Sequence, residues 1–315
     1  MELISSIVSQ SLNYAIPIII AAIGALYSER SGVTNIAIEG IMVIGGFVAA
    51  TLTPLTEATL LASAPWVAVL AGAVAGMLFS LIHAYVSIDL QGDQIISGTA
   101  LNMLSIGITV YLCQIIFKQQ RTATFQRGFI KSNIPVLEDI PVIGPMFFQS
   151  IYVTFFLALA IVLICYILLW KTPFGLRLRA AGEHPSAVDS LGISVRKLRY
   201  TGVLISGFLG GLAGGIMVLS NSNQFTAGSI HGVGFISMAA LIFGRWHPAG
   251  VLGASIFFGF SQIFAIYSKD IPLLADLPKE LFLALPYFLT VIAILLFSRK
   301  SMGPKAVGQP YSPSH

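Results

Sequence analysis

The chain has 315 residues, 56% of them apolar or aromatic and only 10% charged, with a mean hydropathy of +0.87. Soluble domains carry about 25% charged residues, so an ordinary soluble enzyme is excluded, and so is disorder in a chain with this much apolar surface to bury. The net charge of +4 is no sign of nucleic-acid binding here; what matters is where the basic residues fall relative to membrane spans.

A bilayer-crossing helix needs about 20 mostly apolar residues. Apolar runs between polar breaks give nine expected spans, at roughly 4–27, 33–53, 64–87, 94–117, 149–170, 200–220, 231–244, 249–267 and 283–298. The expected fold is therefore all-α, a polytopic integral membrane bundle within a single domain, 1–315. Glu2 and the lack of a basic residue before the first run argue against a cleaved signal peptide. Pro17 and Pro286 predict kinks. The stretch from Gly232 to Gly244 is short for a crossing and reads as tilted, broken or re-entrant. Cys113 and Cys165 fall inside apolar runs as buried thiols, and they offer neither a disulfide framework nor a metal site. No GxxxxGK[ST] motif is present, so the chain has no P-loop for ATP.

Basic residues orient the bundle. Lys171, Arg177, Arg179, Arg196, Lys197 and Arg199 lie in 171–199, and Arg299, Lys300 and Lys305 lie in the tail, 299–315. With both segments inside, and Arg30 and Arg245 beside them, 11 basic residues are cytoplasmic and six external. The expectation is N-out and C-in, with 118–148 an external loop and 171–199 the sizeable cytoplasmic one. A large soluble energy source or receptor must then come from other chains.

A loose internal repeat links Asn35–Gly40 with Gly228–Gly232, each followed by a small-residue helix, and transporters use such repeats around a midplane site. Glu39 is the strongest oddity, because a carboxylate at a span centre costs about 2.5–3.5 kcal/mol on insertion scales. It has two readings: a group on a solute path, or a packing partner for another helix. Asn35, four residues earlier, is expected on the same helix face. Asn102 and His83 read mainly as interhelical hydrogen-bonding groups. His231, beside Asn221, Asn223 and Gln224, begins the short seventh run, where a helix start offers donors to a polar solute; a solvated external loop is the plainer reading. By polarity and location, Asn35, Glu39, Asn102 and His231 are the candidate path residues. Gly207, Gly211 and Gly215 repeat every four residues, as do Gly210 and Gly214, which lets helix backbones approach closely. Gly72 and Gly76 repeat the device.

The loop Thr172–Ile193 places Pro185 at a helix's first turn, with Gly192 as its stop. A short helix across the membrane face, led by Glu183 and His184, suits docking to a cytoplasmic partner; a solvated connector fits its composition equally well. This loop resembles the coupling segment of permease subunits of bacterial ABC importers, in the group serving ribose-type sugars, branched-chain amino acids and nucleosides. The run Ser28–Gly40 resembles the hallmark of the nucleoside-type branch. The resemblance implies two permease chains forming one path, and two ATPase subunits contacting Gly182, Glu183, His184 and Pro185. It also implies an external lipoprotein receptor that delivers the solute. It implies a bacterial inner-membrane location, with ATP and magnesium on the partner ATPase and no cofactor, metal or catalytic residue on this chain. Riboflavin or a simple sugar is the alternative solute. An alternative of another class is a proton-coupled carrier built on Glu39.

Overall fold

In the computed structural model, residues 2–133, 143–268 and 303–312 are described, with single positions at 135, 138, 140, 278, 280–282, 284 and 288. Helix α1 (Glu2–Arg30) is apolar on all sides and keeps Pro17 within its length. It forms the centre of the bundle, with Ile18, Ile19, Ile20, Ala21, Ala22 and Ile23 wholly buried. The chain then turns sharply: Gly32 adopts φ +95°, a left-handed conformation that glycine enters without steric cost.

Helix α2 (Ile38–Leu60) begins later than the hydropathy of 33–53 suggests. Residues 33–37 are not helical, so Asn35 does not share a helix face with Glu39. The cause is capture of the backbone by side chains. Thr34 donates its N–H to Gln94 Oε1 at 2.7 Å and receives His83 Nε2 on its carbonyl at 2.9 Å. Helix α3 (Ala64–Ala84) follows and runs on through a wider π-type turn, Tyr85–Asp89. Helix α4 (Gln94–Phe117) starts at Asp93, whose carboxylate accepts the Ile95 and Ile96 N–H groups at 2.8 and 2.9 Å, a standard N-cap.

Residues 119–133 fold back over the end of the bundle, where Phe125 N–H bonds Asn223 O and Phe129 N–H bonds Leu219 O. A two-residue antiparallel pair, β1 (Lys131–Ser132) with β2 (Ile151–Tyr152), flanks the short helix α5 (Ile143–Phe147). Helix α6 (Thr154–Lys171) crosses to the other end. There α7 (Pro173–Glu183) and α8 (Pro185–Ser190) form a hairpin before α9 (Val195–Asn221) returns. Helices α10 (Val233–Phe243) and α11 (Pro248–Tyr267) complete the described bundle. Among the described residues, six helical stretches are long and apolar enough to cross a membrane, one of which, Ile38–Asp89, holds both α2 and α3. The protein is a polytopic helical membrane protein. Apart from positions 284 and 288, the ninth expected span lies outside the described residues, and so does Pro286.

Glycine sets the closest packing. Helices α2, α3 and α9 meet backbone to backbone: a Cβ on Gly76 would stand 2.6 Å from Gly207 O, and one on Gly214 would strike Met42 O. Gly211 lies between Gly45 and Gly72, whereas Gly215 sits more loosely, 3.2 Å from Ala49 Cβ. In lipid no hydrophobic force draws helices together, so close van der Waals contact between small residues provides the association.

Candidate functional site

Helix α10 has 11 residues, about 16 Å at the usual rise, or half of a hydrocarbon core of about 30 Å. It is a half-helix. Its C-terminal end reaches Trp246, whose carbonyl accepts from Arg30 Nε and Nη2 at 3.1 and 2.7 Å. Its N-terminal end lies inside the bundle, against the start of α2. At that level Ile38 and Ile41 of α2 pack on Gly210, near the middle of α9.

Glu39 holds this inner helix start. Its Oε1 accepts the Gly232 N–H at 2.7 Å and its Oε2 the Gly234 N–H at 2.6 Å. A helix N-terminus carries unsatisfied N–H groups and a partial positive charge, and one carboxylate answers both. Only glycine allows the approach at 234, since a Cβ there would sit 2.6 Å from Glu39 Cα. Gly232 itself takes φ +81° as the residue preceding the helix. The two stretches paired by loose sequence similarity, 35–40 and 228–232, thus meet in space through Glu39.

Asn102 from α4 does similar work on the irregular segment before α2. Its Oδ1 accepts the Gly40 N–H at 2.7 Å, and its Nδ2 donates to Ile36 O at 2.9 Å. Asn35 donates to Ser206 Oγ of α9 at 2.9 Å, while its buried Oδ1 has no hydrogen-bond partner. His83 joins α3 to Ser97 Oγ of α4 at 3.0 Å as well as to Thr34. His231 is exposed, with φ +43°, and stands just outside the half-helix it had been expected to begin. Of the four candidate path residues, then, the structure brings Glu39, Asn102 and Asn35 together around the start of α2. Glu39 and Asn102 are held by bonds within the protein, and the exposed His231 immediately precedes the same half-helix.

At the opposite end of α10, the hairpin of α7 and α8 is polar and partly exposed. Thr172 caps α7 by accepting the Gly175 N–H at 3.2 Å, with Pro173 in its first turn. Helix α8 starts at Pro185 and ends before Gly192, which takes φ +74°. Sequence reading expected one helix here, and α7 was missed although the Thr-Pro pair is a start signal. Gly182 is pressed against the Arg30 carbonyl, and Glu183 Oε1 stands 3.9 Å from Arg30 Nη1. His184 forms the corner between the two helices.

Arg30 is a hub that sequence reading treated only as a topological charge. Beyond Trp246 and Glu183, its guanidinium lies 5.6 Å from the Trp170 ring centre, and Arg179 lies 5.1 Å from the same ring. Glu29, buried beside it, accepts from Trp246 Nε1. His247 packs its ring 4.8 Å from Trp170; burial and the Arg30 charge lower its pKa. The end of α1, the end of α7 and the corner between α10 and α11 are therefore one mechanical unit, tying the foot of the half-helix to the polar hairpin. Among the described residues no cluster of three His, Cys, Asp or Glu could hold a metal ion.

Comparison with known proteins places this geometry. Residues 7–294 match the family model described as branched-chain amino acid transport system / permease component. The chain is 46% identical to the guanosine ABC transporter permease protein NupQ of Bacillus subtilis, over 98% of this chain and 97% of that protein. It is 40% identical to the nucleoside ABC transporter permease protein NupC of Lactococcus lactis, over 97% and 96%. It is 30% identical to a putative glucose ABC transporter permease, TsgC13 of Haloferax volcanii, over 88% and 82%. With the family model matched over residues 7–294 and relatives aligned almost end to end, the chain belongs to the family of branched-chain amino acid transport system permease components.

Proposed function

We propose that this chain is the membrane-spanning subunit of an ATP-driven importer, and that it forms part of the path for a nucleoside-like solute. The observation that carries the reading is the polar hairpin of α7 and α8, built onto the Arg30 hub that also holds the foot of α10. A hairpin so placed can receive force from a cytoplasmic ATPase and pass it to a half-helix whose other end lies inside the bundle. The solute class is supported by the two relatives with the highest identities above, both nucleoside permeases by name. Riboflavin and simple sugars are the alternatives. The chain contributes a path and a lever and carries out no covalent chemistry. Its partners are ATPase subunits, a second homologous permease and an external lipoprotein receptor, in a bacterial inner membrane with the hairpin on the cytoplasmic side.

The test of solute is uptake into proteoliposomes by the complete complex with its receptor, using labelled guanosine, uridine, riboflavin and glucose in turn. Nucleoside uptake that depends on ATP is expected; uptake of riboflavin or glucose without nucleosides would replace the solute class. A proton-coupled carrier built on Glu39 is less well supported, because both carboxylate oxygens already accept backbone N–H groups and protonation would weaken these charge-assisted bonds.

Coupling gives a further prediction. Replacing Glu183 and His184 together by alanine is expected to leave ATP hydrolysis running while uptake falls. The Arg30 pair itself contributes little, since a partly exposed ion pair is worth about 0–1 kcal/mol. The effect is therefore expected in the ratio of uptake to hydrolysis, with the melting temperature unchanged. An unchanged ratio would remove these two residues from the coupling contact.

A further inference from the structure

The segment Gly303–Ser312 returns across the hairpin and touches five parts of the protein in ten residues. Gly303 packs against the Trp246 ring, where a Cβ would stand 3.2 Å from it. Ala306, itself buried, donates its N–H to Gly182 O at 2.9 Å, and the Lys305 N–H reaches Glu183 Oε2 at 3.4 Å. Gly308 passes Thr34, with a Cβ position 3.5 Å from its Oγ1. Gln309 O accepts from Arg199 Nη1 at 3.0 Å. The Tyr311 ring lies 5.9 Å from that guanidinium, and the Tyr311 hydroxyl donates to Asp189 Oδ2 of α8 at 3.0 Å.

The contact at Arg199 is unusual. Its guanidinium lies at the foot of α9 and is 2% exposed, and its Nε and Nη2 have no hydrogen-bond partner. Taking a cation out of water costs several kcal/mol unless it is paired, yet here it meets one carbonyl and an aromatic face. The tail therefore keeps its place through the sum of its contacts: one bond to the Gly182 carbonyl and one to the Glu183 carboxylate at the end of α7, the Tyr311–Asp189 bond to α8 and the Arg199 bond to α9. Each of these joins the hairpin, directly or through the tail, to a bundle helix. Without the tail, α8 would be attached mainly by its own Val188 and by its covalent ends.

We propose that Gly303–Ser312 is a clasp that fixes the α7–α8 hairpin to the cytoplasmic end of α9 and to the segment before α2, and that Tyr311 is a positioning residue for coupling. When the hairpin moves, the clasp carries α9 and the segment before α2 with it, and α2 holds the start of α10 through Glu39. The clasp stays closed through the transport cycle. This inference rests on the reading of the hairpin as the ATPase contact.

The experiment uses the full complex and two kinds of variant. In the first, Asp189→Cys and Tyr311→Cys are combined and bridged in membranes with a short thiol-reactive crosslinker; Cys113 and Cys165 are buried. In the second, the chain ends at Met302. The crosslink is expected to form at rest, and the bridged complex to take up solute as fast as the unbridged wild type. The truncated complex is expected to keep its ATPase subunits and melting temperature while uptake per ATP falls on the order of tenfold, as for a coupling term of about 1–2 kcal/mol. Tyr311→Phe should give a smaller fall, because the ring over Arg199 remains. No crosslink, loss of uptake on bridging that cleavage of the bridge restores, or wild-type uptake per ATP after truncation would each overturn the clasp. Failure of the wild-type chain to retain any ATPase would overturn the importer reading instead, and the yield of crosslink would still decide whether the clasp exists.

Discussion

Glu39→Ala is expected to abolish uptake and to lower the melting temperature of the purified complex, the largest effect of any single polar substitution in the protein. Both Gly232 and Gly234 direct N–H groups at this carboxylate, and Glu39 is only 9% exposed. A buried donor left without a partner costs about 1–3 kcal/mol, and two are created at once. The attraction between a carboxylate and a helix start, worth up to about 2 kcal/mol when partly buried, disappears as well. Glu39→Gln tests the mechanism more closely. Its amide oxygen can still accept one N–H, but its NH2 group would face the other donor, so an intermediate loss is expected. Glu39→Asp keeps the charge and shortens the reach by one methylene, so it too should release one of the two glycines. Thiol accessibility of a cysteine placed at Ser229 would report whether the half-helix start has loosened. Wild-type melting and uptake in Glu39→Gln would show that the carboxylate does not hold α10.

Gly214→Ala is expected to be nearly as damaging, for a purely steric reason. The added methyl would strike the Met42 carbonyl of α2, and neither atom belongs to a side chain that can swing away. Overpacking of this kind costs about 1–3 kcal/mol, and separating α2 from α9 also loosens the neighbouring contacts at Gly45, Gly76 and Gly211. Gly253→Ala in α11 is the matched control: a Cβ there meets nothing within 4 Å, and alanine in a helix interior gains about 1 kcal/mol over glycine. Thermal unfolding in detergent, followed by size-exclusion chromatography, should move the two variants in opposite directions. Equal, small shifts would mean that α2 and α9 can separate without penalty. Gly215→Ala should fall between them, since its nearest neighbour is a side-chain methyl at 3.2 Å.

Much of the architecture is legible in the residues. Long apolar runs mark the helices because each backbone group must bond within its own helix in lipid. The small-residue spacing from Gly207 to Gly215 marks a close helix contact before any partner is known. Pro185 and Gly192 bound α8 through local backbone chemistry, and Thr172 with Pro173 could have marked α7 in the same way. The failure at 33–37 is instructive. Those residues lie within an apolar run, and what holds them out of the helix is distant: Gln94 on Thr34, Asn102 on Ile36 and Gly40, and His83 again on Thr34.

By itself the sequence determined that the chain lives in a membrane, that it is built of apolar helices, which glycines make helices touch and where the polar segment between α6 and α9 falls, because each of these depends on residues near one another in the chain. Only the tertiary structure decided that α1 is central while α4 and α6 lie at the periphery, since hydropathy cannot separate lipid from an equally apolar protein interior. It alone decided that Glu39 serves a helix start far along the chain, that Arg199 is buried under Gln309 and Tyr311, and that Arg30 joins the hairpin to α10. Those are contacts between residues distant in sequence, and a buried polar group takes whichever partner the packed helices bring within about 3 Å.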